Sequence, residues 1–84
     1  MTPLNRTVLN VLTAFHEAGG TGALDIHGRV LAGQPVAPMP GDLNAWLKLV
    51  ARGYVAGERD FILITEEGRV EAERLIAGLT RTGA

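Results

Sequence analysis

Nine carboxylates, two imidazoles and no thiol are the groups in this sequence that could ligate a metal or activate a substrate. Without cysteine there is no disulfide framework, thiolate metal site or redox pair. His16 and His27 lie on segments predicted as separate helices and lack the His-x-x-x-His spacing that puts two imidazoles on one helical face, so no metal site is expected. Gly19-Gly20-Thr21-Gly22 resembles a phosphate loop only in its glycines, because the following lysine and the preceding strand are both missing. Glu66, Glu67, Arg69, Glu71, Glu73 and Arg74 read as the solvated face of a helix, with Arg69 and Glu73 paired four residues apart. No nucleophile stands with a base, and a chain this short rarely encloses a pocket, so the expectation is not an enzyme and no cofactor. What remains is binding chemistry. Asn44 and Lys48 stand one helical turn apart, with Arg52, Arg59 and Arg6 as further cations.

The 84 residues make one domain, 1–84, with a tail expected to fray at about 80–84. A hydrophobic content of 46% with 20% charged residues describes an ordinary folded globule. A net charge of −1 removes any global attraction to a polyanion. Lys48 is the only lysine among the basic residues, a preference for arginine read mainly as compositional habit. The longest apolar block near the end, Phe61 to Ile64, is far too short to cross a bilayer, and no signal-peptide pattern opens the chain. The expectation is no membrane association and a cytoplasmic location.

Leu4, Val8, Leu9, Val11, Leu12 and Phe15 recur in threes and fours and predict helix one over 3–18, with Thr2 as N-cap, Pro3 at the first helical position and Gly19-Gly20 as stop. Leu24, Ile26, Val30 and Leu31 predict a shorter second helix after Thr21. Three prolines between Gly33 and Gly41 require an extended connection. Asp42 caps a third helix, 42–52, whose core face is read as Leu43, Trp46, Leu47 and Val50, leaving Asn44, Ala45, Lys48, Ala51 and Arg52 exposed. Tyr54-Val55-Ala56 and Phe61 to Ile64 form a hairpin about Gly57-Glu58-Arg59-Asp60, and Thr65 caps a last helix.

Trp46-x-x-Leu49-x-x-x-Gly53-Tyr54-Val55, followed by Ile62-Leu63-Ile64-Thr65-Glu66-Glu67-Gly68-Arg69, resembles the winged helix-turn-helix domains of small bacterial and archaeal transcription regulators. The resemblance implies a mainly α fold of three helices, a two-stranded wing and a C-terminal helix. It also implies a DNA-binding regulatory module, with helix 42–52 in the major groove of double-stranded DNA. Asn44 and Lys48 would then read base edges, while Arg52, Arg59 and Arg6 contact phosphates.

The rival expectation is a winged-helix protein-interaction module of an assembly, without DNA binding. The presumed recognition surface sets Lys48 and Arg52 against Asp42, and the wing sets Arg59 between Glu58 and Asp60, which favours this rival. The Pro-rich segment 33–41 and the surplus apolar residues of the first and last helices would form its contact surface. A homodimer is expected from Ala72, Leu75, Ile76 and Leu79.

Overall fold

The computed structural model describes the backbone of residues 4–83 and the side chains of residues 4–78. Helix α1 (Arg6–Glu17) leads into strands β1 (Thr21–Leu24), β2 (Val30–Ala32) and β3 (Ala37–Pro38). Helix α2 (Leu43–Ala51), strands β4 (Val55–Glu58) and β5 (Phe61–Ile64), and helix α3 (Glu66–Gly83) complete the chain. The five strands form one antiparallel sheet in the order β3-β2-β1-β5-β4. Among the described residues, no helix is long and apolar enough to cross a membrane.

Local chemistry accounts for the helix ends. Asn5 caps α1, its Oδ1 accepting the amide of Val8 at 2.9 Å, and Asp42 caps α2 by accepting the amide of Ala45 at 3.0 Å. The predicted cap Thr2 and the predicted first helical residue Pro3 lie outside the described residues; the helix proper starts at Arg6. Gly19 and Gly20 follow α1 at φ 111° and 77°, the left-handed stop expected of them. At α3 the hydroxyl of Thr65 accepts the amide of Gly68 at 3.1 Å, and Glu66 and Glu67 occupy the first turn, where the helix dipole favours carboxylates. Of the tail expected to fray, residues 80–83 fall in the last turn of α3 and residue 84 lies outside the described residues.

The fold class differs from the expectation. This is an α+β structure of three helices and a five-stranded sheet, not a mainly α winged helix-turn-helix with a two-stranded wing. The predicted second helix is replaced by the hairpin β1-β2, so no helix lies between α1 and α2 to make a helix-turn-helix with α2. A polar turn and a long-range partner together outweigh the helical spacing. Asp25 Oδ1 accepts the amides of His27 and Arg29, both at 2.8 Å, and Gly28 takes φ 79°, which together close a hairpin loop. β1 then pairs with β5, Thr21 opposite Leu63 and Gly22 opposite Ile62, supplying ladder bonds that a short helix would forgo. The Pro-rich connection contributes β3 to the sheet edge, where proline's missing donor faces outward. The second hairpin also turns later than expected: β4 runs to Glu58, and the loop is Arg59-Asp60 with Arg59 at φ 56°.

The core joins the helices to one face of the sheet. Val8, Val11, Leu12 and Phe15 of α1, Ala45, Trp46 and Leu49 of α2, and Ala72 of α3 are buried with Val30, Ala32, Val55 and Ile62 of the strands. The rings of Phe15 and Trp46 meet edge to face at 5.1 Å and 87°. Gly22 makes room for this: a Cβ there would lie 3.2 Å from Phe15 Cε1 and 2.8 Å from the carbonyl oxygen of Leu31.

Helix α2 is also turned relative to the expected core face. Trp46 is buried as expected, but Leu43, Leu47 and Val50 are 65%, 54% and 43% exposed, while Ala45 is buried and Arg52 half-buried. The stretch from Leu43 to Val50 carries two overlapping apolar faces, and periodicity does not choose between them. Packing of Trp46 on Phe15 selects the face bearing Ala45, Trp46 and Leu49.

Candidate functional site

Asn44 and Lys48 project from the outer side of α2, both exposed and one turn apart, as a base-reading pair would require. Lys48 takes part in none of the ion pairs among the described residues. Arg52 is the C-cap, its amide donating to the carbonyls of Lys48 and Val50. Arg59 is exposed at the tip of the β4-β5 hairpin, between Glu58 and Asp60. Arg59 and Lys48 thus stand on different elements, the β4-β5 turn and α2. Arg6, at the start of α1, lines a groove with Asn10 and Thr13 of the same helix and Arg74 and Leu75 of α3.

Several of the remaining cations are engaged within the chain. Arg29 Nε lies 2.8 Å from Asp25 Oδ2, Arg69 bridges Glu66 and Glu73, and Arg74 grips Glu71. These contacts appear in the ionisation of the partners. The Arg29 amide, with the Arg29 guanidinium and the His27 amide, holds the Asp25 carboxyl below its usual value. The Arg74 hydrogen bond lowers Glu71, and Glu66 raises Arg69 further above its already high value. Guanidinium groups held this way attract an external phosphate less, because part of their field is already neutralised.

The side chains that share the outer side of α2 with Asn44 and Lys48 are apolar: Leu43, Leu47 and Val50. Their spacing of four and then three makes one stripe along the helix.

A second apolar surface covers the side of the sheet away from the helices. Residues directly opposite in antiparallel strands share a face. One cross-strand row therefore runs Pro38, Leu31, Ala23, Phe61, Glu58, and a second runs Thr21, Leu63, Ala56. Phe61 is 63% exposed and Leu63 is also exposed. At one side this face sinks into a depression of about 780 Å³, whose walls include Thr21, Ala23, Leu31, Gly33, Val36 and Phe61.

Sequence reasoning missed both surfaces, although each left a trace. Unbroken Phe61-Ile62-Leu63-Ile64 is the pattern of a strand covered on both faces. The crowding of five large apolar residues into α2 exceeds what one buried face needs.

Comparison of the chain with protein-family models, with curated proteins and with solved structures finds no match. The candidate surfaces therefore stand on their own chemistry.

Proposed function

We propose that this chain is a protein-interaction module of an assembly, with the outer side of α2 facing the partner. The observation that carries this reading is the stripe of Leu43, Leu47 and Val50, exposed on the helix that a DNA-binding module would lay in the major groove. A groove floor of base edges and phosphates rewards donors, acceptors and cations, whereas three aliphatic side chains gain most from a dry apolar counterpart. The engagement of Arg29, Arg69 and Arg74 by carboxylates and the net charge of −1 support the same reading. Asn44 and Lys48 then form a polar rim beside the apolar centre, the usual anatomy of a protein interface.

DNA binding is kept as a second reading because Asn44 and Lys48 are both exposed one turn apart. On this reading α2 would enter the groove with no helix-turn-helix behind it, and Arg52 and Arg59 would lie toward phosphates.

One pair of measurements separates the two. A photo-crosslinking residue at position 47 is expected to capture a defined protein in the source cells, and the same residue at position 67 is not. Anisotropy titration on mixed-sequence duplexes at low salt is expected to show no binding. Duplex binding that weakens with salt and is lost in Lys48→Ala would replace the first reading with the second.

A further inference from the structure

We propose that the depression beside the end of α1 binds a primary ammonium carried on an apolar body, a small molecule of the arylalkylamine class. This goes beyond the α2 reading and uses a different surface. At about 780 Å³ the depression has the size of a small-molecule site. Part of its lining is apolar: Ala23, Leu31, Val36 and the ring of Phe61. The rest includes Glu17, Ala18 and Gly19, where α1 stops.

Charge complementarity sets the polar end of the ligand. Among the described residues that line the depression, Glu17 alone is ionisable, and it takes part in none of the ion pairs. It closes a helix, where the backbone dipole already presents negative charge and a carboxylate is disfavoured. The neighbouring His16 does not line the depression. The carbonyl oxygens of Glu17, Ala18 and Gly19 accept no backbone hydrogen bond among the described residues, so they add acceptors to the carboxylate. A carboxylate at the wrong end of a helix, beside acceptors not used within the chain, is a local choice that stability does not explain and an incoming cation does. A primary ammonium brings one positive charge and three donors to such a set.

The sheet sets the rest of the ligand. Thr21 lies near the α1 end of β1, and Ala23, opposite Phe61, lies about 7 Å further along the strand. An ammonium held at Glu17 therefore carries a short chain over Thr21 and Ala23 and brings its far end against Phe61. Phe61 is 63% exposed, so covering it removes apolar surface from water, and an aromatic body adds a ring-to-ring contact. An inorganic cation gains nothing from this apolar part, and an anion is repelled by the carboxylate.

Amide NMR titration with phenylbutylamine tests the proposal, with phenylbutanol and phenylbutyrate as neutral and anionic probes of the same body. The expected result is saturable binding of the amine with a Kd on the order of 1 mM, as befits so small a probe. Its shifts should centre on Gly19, Thr21, Ala23 and Gly33. The alcohol should bind at least about 3-fold more weakly and the carboxylate more weakly still. Glu17→Lys is expected to weaken the amine at least about 10-fold and Phe61→Ala about 3-fold, with Ile26→Ala, at the far β1-β2 turn, unchanged. Lysine suits a helix C-terminus and Phe61 is largely exposed, so both variants should stay folded, which circular dichroism melts check. No saturable shift up to about 20 mM amine overturns the proposal. So does equal binding of the three probes, binding that Glu17→Lys leaves unaltered, or a set of shifts centred on α2. Crosslinking from position 47 and the duplex titration stay separate readouts, so the α2 reading can fail or stand independently.

Discussion

Gly68 lies so close under the backbone of Tyr54 that a Cβ on it would overlap the carbonyl oxygen of Tyr54 and sit 2.8 Å from its carbonyl carbon. The same carbonyl accepts the amide of Thr65 at 2.9 Å, and the Thr65 hydroxyl donates to the carbonyl of Gly53 while accepting the amide of Gly68. The turn that leaves α2 and the turn that enters α3 are thus joined backbone to backbone, and this joint holds α2 and the β4-β5 hairpin to α3. Tyr54 does not yield at such a contact, because its amide donates to the carbonyl of Leu49 and its carbonyl accepts the amide of Thr65.

Gly68→Ala is therefore expected to destabilise the fold by about 3 kcal/mol or more, a value beyond helix propensity alone, which would favour alanine by about 1 kcal/mol. Urea unfolding with an unchanged slope would measure it. Equal or higher stability of the variant would show that the close approach does not constrain the chain.

Two leucines two positions apart on α2 should behave oppositely. Leu49 is fully buried and Leu47 is 54% exposed. Leu49→Ala is expected to cost about 2–5 kcal/mol, and Leu47→Ala less than about 1 kcal/mol. Similar losses at both sites would restore the core face first inferred from periodicity.

Removal of the α2 cap is a milder test. Asp42→Ala frees the amide of Ala45 and should cost about 1 kcal/mol, while Asp42→Asn, which can still accept that hydrogen bond, should cost less. Thermal melts of the two variants compare them directly.

Acid should unfold this protein partly through Asp25. Its folded carboxyl binds a proton less readily than the unfolded one, whose ordinary value is 3.8. The contribution is complete above that value and disappears as pH falls through the lower, folded value. Glu71, lowered from 4.5 by Arg74, acts in the same direction. In urea titrations between pH 6 and 2, Asp25→Asn is expected to flatten the acid limb of the stability curve (~pH 4 downward) and to leave its shape near pH 6 unchanged. An unaltered acid limb would remove Asp25 from the account.

Much of the fold was readable wherever a local signal and the tertiary outcome agree. The stop at Gly19-Gly20, the Asp42 and Thr65 caps and the final hairpin all rest on residues within a few positions of one another. The segment from Thr21 to Leu31 misleads because its apolar spacing suits a helix, while its structure depends on a partner, β5, some forty residues away. The functional surfaces were the least legible part, since an exposed leucine and a buried one are the same letter.

Composition and local pattern by themselves determined a cysteine-free chain with almost no net charge, the positions of the three helices, the caps Asp42 and Thr65, and the polar pair Asn44 and Lys48 on a helix. Only the tertiary structure decided that the segment after α1 is sheet, which side of α2 faces outward, and that one side of the sheet is left apolar and bare. The physical reason is that hydrogen-bond ladders between distant strands, and the meeting of Trp46 with Phe15, are free energies of pairs that no single stretch of chain contains.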